Sequence, residues 1–284
     1  MGRQDEFFCP SKLPTFLCKS HLRFFVTLAL WAPLGGVACK REAPDDATVK
    51  VAAAADLAFA FKDVATAFER KTGKKVAFTF GSTGNLAKQI DEGAKYDLFA
   101  AANVSYADEV VRAGACDGAT RAPYALGRIV VWWKDDPARA GSEPRSLADL
   151  ADARFVRIAI ANPEHAPYGQ AAQQALVSAG VWDAVKPKLV YGENVQQTLK
   201  YAQTGNVEAT IVALSLATVT EGGHYFAIED AMHKPIEQVL VVCSRGGNPQ
   251  GGKDFAAFAL SSEGRPIMRR FGFLLPGESV TKAP

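Results

Sequence analysis

From residue 49 onward the hydrophobic pattern repeats one grammar: a short apolar run, a turn of small or polar residues, then apolar side chains at helical spacing. Residues 49–54 (Val-Lys-Val-Ala-Ala-Ala) predict a buried strand. Asp56 then stands as N-cap of a helix whose Leu57, Phe61, Val64, Ala65 and Phe68 share a face, closed by Gly73. Residues 75–80 predict the next strand, and Gly81-Ser82-Thr83-Gly84-Asn85 opens a helix that Gly93 closes. A third strand at 97–101 precedes a helix around 106–112. Such alternation predicts an α/β fold, a mostly parallel sheet flanked by helices.

The pattern then starts again. Strands are expected at 128–133, 157–161, 188–191 and 210–213, with a short helix at 146–150 and longer ones at 170–178 and 195–203. The apolar run 239–243 reads as a strand without a local partner, and 252–271 as helices. This exceeds one compact unit of ordinary size, so two lobes are expected. The first lobe takes residues 49–127 and the second 128–220, with 221–284 returning to the first.

Residues 1–38 read as an address rather than fold. Lys12, Lys19 and Arg23 precede the apolar run 24–34, and Gly35-Gly36-Val37-Ala38-Cys39 follows. That run is too short to span a bilayer and has the order of a secretory signal. Small residues ending at a cysteine suggest a lipoprotein signal with Cys39 as the lipidated N-terminus; ordinary cleavage near Ala38 is the alternative. Residues 39–48 then form a polar tether. The address holds Arg3, Lys12, Lys19 and Arg23 against Asp5 and Glu6, so removing it balances the whole chain's 32 basic and 30 acidic residues. No basic excess favours nucleic acid. In an oxidising compartment Cys116 and Cys243 either pair in one disulfide or remain two buried thiols.

Four turns carry the functional expectation: those at Asp56, at Ser82-Thr83, at Pro167-Tyr168-Gly169 and at Asn194-Val195. Each follows the carboxyl end of a strand and opens a helix, the edge at which open α/β sheets receive ligands. Helix N-termini offer unpaired N–H donors and partial positive charge, so turns from two lobes can cage a small dianion without Lys or Arg. Each polar side chain could equally do no more than cap its own helix.

Over residues 49–275 the sequence resembles the periplasmic molybdate-binding proteins of ABC importers (the ModA family). The resemblance rests on Val51-Ala52-Ala53-Ala54-Ala55-Asp56-Leu57, on the stretch from Phe80 to Ile90, on Asp97-Leu98-Phe99-Ala100-Ala101, on Asn162-Pro163-Glu164-His165-Ala166-Pro167-Tyr168-Gly169 and on Arg270-Phe271-Gly272-Phe273. It implies a type II periplasmic-binding fold whose ligand cleft lies between the lobes. It also implies a monomer that closes on molybdate or tungstate, uses no cofactor, and serves an inner-membrane permease driven by a cytoplasmic ATPase. The implied ligand set is Asp56, Ser82, Thr83, Tyr168 and Val195, supported by Ala55, Arg128, Pro167, Gly169 and Asn194.

Two positions depart from the family pattern: Asp56 replaces a serine, and Ala213 stands where many members place a ligand tyrosine, a loss that Tyr168 can offset. Three readings of Asp56 follow. It caps its helix and points away while its backbone N–H binds; it pairs with a cation, with Arg128 as the candidate; or the ligand carries a proton that Asp56 accepts, favouring phosphate or arsenate. An enzyme, such as a secreted hydrolase of small esters, has less support. His165 reads as a structural turn residue, Gly81-Ser82-Thr83-Gly84 lacks a P-loop lysine, and no GxSxG elbow surrounds Ser82. Trp132 and Trp133 read as packing, and Phe59, Phe61 and Phe68 as core.

Overall fold

The computed structural model describes residues 48–278. The address, the tether up to residue 47 and the lipidation candidate Cys39 lie outside them. Among the described residues no helix is long and apolar enough to cross a membrane.

The first lobe opens with β1 (Val49–Ala54), α1 (Ala60–Thr72), β2 (Val76–Gly81), α2 (Thr83–Asp91), β3 (Leu98–Ala101), α3 (Val104–Arg112) and β4 (Cys116–Gly127). The second lobe contains β5 (Ile129–Lys134), β6 (Ile158–Ala161), α4 (Pro167–Ser178), α5 (Trp182–Val185), β7 (Leu189–Gly192), α6 (Val195–Gln203), β8 (Ala209–Ala213), α7 (Leu214–Ala217) and β9 (Gly223–Ala227). The chain then returns through β10 (Ile236–Cys243), α8 (Pro249–Ala259) and α9 (Gly264–Arg270).

Each lobe is a five-stranded sheet, ordered β2-β1-β3-β10-β4 in the first and β7-β6-β8-β5-β9 in the second. Three strands of each are mutually parallel, as the strand–helix alternation predicts. β4 and β9 run in that same direction but pair through one opposed strand, β10 in the first sheet and β5 in the second, so each mostly parallel sheet is mixed by a single antiparallel strand. β10 pairs with both β3 and β4, supplying the missing partner of the apolar run 239–243. The boundary expected at 220/221 falls too early, because β9 pairs with β5 in the second sheet.

β3, β6 and β8 are short and apolar because they are covered on both faces and buried throughout. α1 turns Phe61, Val64 and Phe68 inward and stops at Gly73, whose φ of 73° suits a residue without a Cβ. Phe59 is 41% exposed, so it is not core. Trp132 is fully buried. Cys116 and Cys243 face each other across β4 and β10 and are joined by a disulfide.

Candidate functional site

Between the lobes lies a small cavity with ≈ 200 Å³ of empty volume. Its walls are Ala54, Ala55 and Asp56 after β1, Gly81, Ser82 and Thr83 at the start of α2, and Ala102 after β3. The second lobe adds Ala166, Pro167 and Tyr168 at the start of α4, and Asn194 and Val195 at the start of α6. The four turns singled out in the sequence therefore meet at one place, and no Lys, Arg or His lines it. Gly169 and Arg128 are not among the lining residues. Gly169 stands behind the wall: a Cβ there would come 2.1 Å from the carbonyl oxygen of Ala161.

The first turn of a helix has N–H groups with no carbonyl of its own helix to receive them. Several of these are engaged here. Gly84 N–H donates to the carbonyl of His165, Gly169 N–H to that of Ala166, and the N–H groups of Gln196 and Gln197 to Asn194 Oδ1. Pro167 has none. Thr83, Tyr168 and Val195, which line the cavity, stand in the first turns of α2, α4 and α6, where N–H groups have no carbonyl of their own helix to receive them. The Thr83 hydroxyl accepts from Ala102 N–H at 3.1 Å, which leaves its own proton to donate.

Asp56 is 1% exposed and sits in a short 3₁₀ turn capped by Ala54, without a side-chain capping bond. It is therefore not the helix cap expected from the sequence. Nor does it pair with Arg128, whose Nε lies 3.6 Å from Asp230 Oδ1. Its Oδ2 instead accepts from the Tyr168 hydroxyl at 2.9 Å and from Gln238 Nε2 at 2.7 Å. Gln238 Nε2 also donates to the Tyr168 oxygen at 2.9 Å, and Tyr124 donates to Gln238 Oε1 at 2.5 Å. Asp56 Oδ1 is buried and without a partner. Burial pushes the carboxyl up to about 6, against the hydrogen bonds from Gln238 and Tyr168 that oppose the shift. Burial likewise holds the Tyr124 and Tyr168 hydroxyls well above the ordinary tyrosine range, and the nearby Asp56 adds to it.

The lobes touch across the cavity. Besides the Tyr168–Asp56 and Gly84–His165 bonds, Ser215 Oγ donates to the Asp56 carbonyl at 2.8 Å. Ser82 Oγ lies 2.8 Å from His165 Nδ1, so His165 is an inter-lobe contact rather than a turn residue alone. Gln238, Tyr124 and Ser215 escaped the sequence reading. Gln238 left a usable signal: a polar side chain at the edge of an apolar strand run must find buried partners.

A broader depression of ≈ 970 Å³ lies on the second lobe, among Trp133, Phe155 and His224. Asp135, Asp136, Glu143 and Glu208 line it, which is the wrong charge for an anion. Among the described residues no group of three or more His, Cys, Asp or Glu is placed to hold a metal ion.

Residues 49–274 match the family of bacterial extracellular solute-binding proteins. The molybdate-binding protein ModA of Rhodobacter capsulatus is 33% identical over 80% of this chain and 88% of its own length. A putative ABC transporter substrate-binding lipoprotein of Bacillus subtilis, YvgL, is 27% identical over 90% of this chain and 98% of its own. The solved periplasmic molybdate-binding protein of Azotobacter vinelandii superposes with a TM-score of 0.72 at 25% identity, covering 80% of this chain and 99% of that one. The two-lobe fold is thus shared with a solved molybdate-binding protein, and the chain belongs to the ModA family of bacterial extracellular solute-binding proteins.

Proposed function

We propose that this protein captures molybdate, or its close analogue tungstate, between its lobes outside the cytoplasm and presents it to an ABC permease powered by a cytoplasmic ATPase. What supports this reading is the cavity that Thr83, Tyr168 and Val195 line from both lobes at the starts of three helices, with no cationic side chain among its lining residues. Oriented amide dipoles offer a dianion partial positive charge and directed hydrogen bonds in a site too small to keep its water. The ligand is released whole, because such donors form no bond that must later be broken. Closure follows from the same geometry: only ligand contacts made to both lobes at once favour the closed arrangement. A lipid anchor on Cys39 would hold the protein beside its permease, as the lipoprotein named among its relatives suggests. The protein acts as a monomer and performs no chemistry on its cargo.

One observation favours a second reading. An ionised Asp56 about 4 Å from a dianion would oppose it by several kcal/mol at an intermediate dielectric constant. A protonated oxyanion such as phosphate or arsenate would instead donate its hydrogen to the unpartnered Oδ1. Titration calorimetry with molybdate, tungstate, sulfate and phosphate separates the two. Saturable one-to-one binding of molybdate and tungstate, with phosphate weaker by at least about a hundredfold, is expected. Tighter binding of phosphate overturns the molybdate reading, and so does no binding of any of the four.

A further inference from the structure

The hydrogens around Asp56 can be followed one by one. Tyr124 gives its hydroxyl hydrogen to Gln238 Oε1, which fixes the amide so that Nε2 faces Asp56 and Tyr168. The two Nε2 hydrogens go to Asp56 Oδ2 and to the Tyr168 oxygen, and the Tyr168 hydrogen also goes to Asp56 Oδ2. Every donor in the cluster is thus aimed at one carboxyl oxygen or at a neighbour that serves it. Oδ1 receives none, although it is buried in a residue that lines the cavity. An oxygen so placed must either accept a hydrogen from the cavity's occupant or give it one, and a fully ionised molybdate has none to give, so toward that ligand Oδ1 must be the donor.

We propose that Asp56 binds the oxyanion as a neutral carboxylic acid, its Oδ1 donating a hydrogen to a ligand oxygen, so that capture of one molybdate takes up one proton from solvent. The proton balance is simple: the anion keeps both charges, no covalent bond is made in it, and the hydrogen comes from water by way of Asp56. The inference rests on the molybdate reading given above and adds to it a proton-linked specificity residue.

The surroundings favour the neutral form. Gln238 from β10, Tyr124 from β4, Tyr168 from α4 and Ser215 from α7 face Asp56, and none of them is a cation. The starts of α2 and α6 bring Ser82, Thr83, Asn194 and Val195, and Lys200 of α6 is exposed on the far side. β2 contributes Gly81. Arg128, after β4, faces Asp230. His165 stands one residue removed, against Ser82. Burial of the carboxyl, which raises its affinity for a proton, acts in the same direction.

The test is molybdate calorimetry from about pH 6 to about pH 9, in buffer pairs of different ionisation enthalpy, on the wild type, Asp56→Asn and His165→Asn. The Asn side chain copies the acid: its carbonyl accepts from Tyr168 and Gln238, and its NH₂ replaces the Oδ1 hydrogen. For the wild type, Kd should rise about tenfold per pH unit above neutrality, with uptake approaching one proton. Asp56→Asn should bind with no proton uptake and a flat profile, within about threefold of the wild-type value near pH 6. His165→Asn should keep the wild-type slope. A flat wild-type profile without proton uptake overturns the proposal while leaving molybdate binding intact. So does a slope that disappears with His165, or an Asp56→Asn variant that is folded but binds more than about tenfold more weakly near pH 6. If the folded wild type binds no molybdate at any pH, the parent reading fails and this one with it.

Discussion

Asp56 is where local chemistry departs furthest from what its neighbours in sequence suggest. A carboxyl group buried to 1% exposure, with its affinity for a proton raised from the ordinary 3.8 to about 6, changes stability with pH in a defined direction. Between those two values the folded chain holds a proton that the unfolded chain has released. The stabilisation is therefore complete below the unfolded value and is lost as pH rises through about 6. At neutral pH the ionised group costs the fold roughly 1–3 kcal/mol. Asp56→Asn should accordingly raise the unfolding free energy from urea titration at about pH 7.5 by that amount and bring almost no gain near pH 4. An equal gain at both pH values would show that the carboxyl does not titrate as its burial implies. The residue itself was visible in the sequence as an acid where a dianion is expected. Its partners were not, because Tyr168 and Gln238 lie 112 and 182 positions away and meet it only when β10 and α4 are in place.

At the scale of elements, much was legible. Helices starting at Thr83 and Val195 and the strands at the turns follow from Gly, Asn and Ser beside apolar runs of the right period. β4 and β9 were missed for an identifiable reason. β4 alternates exposed and half-buried residues through Asp117, Gly118, Thr120 and Arg121, and includes Pro123, so it has neither a continuous apolar run nor a clean period. β9 is largely exposed and earns its place only by pairing with β5. The turns also set how closely α2 approaches the second lobe. A Cβ on Gly84 would lie 2.8 Å from the His165 carbonyl oxygen and 3.0 Å from the Tyr106 ring. Gly84→Ala should therefore fold normally, since Ala favours a helix, yet wedge the lobes apart and weaken molybdate binding by about tenfold or more. Circular dichroism and calorimetry check the two halves of that statement; unchanged affinity would mean that closure does not require the Gly84–His165 contact.

In the whole molecule, two mixed sheets are joined where β4 passes into β5 and where the chain returns to β10, and the cavity lies where the lobes meet. The disulfide between Cys116 and Cys243 ties β4 to β10 at the end of β4 remote from Gly127, which approaches the Tyr168–Gln238 cluster. Reduction should thus lower stability by about 2–5 kcal/mol, by freeing the unfolded chain, while leaving molybdate affinity within about threefold. Thermal unfolding with and without reductant, followed by a titration of the reduced protein, decides it; a collapse of affinity on reduction would place the cross-link in the binding mechanism. The central claim is that uncharged backbone donors from both lobes hold the dianion. Its most direct test is a crystal grown with tungstate and measured at the tungsten absorption edge. The account predicts one strong anomalous peak between the N–H groups of Thr83, Tyr168 and Val195, whereas a vacant cavity, with tungsten bound instead to surface lysines or arginines, would contradict it.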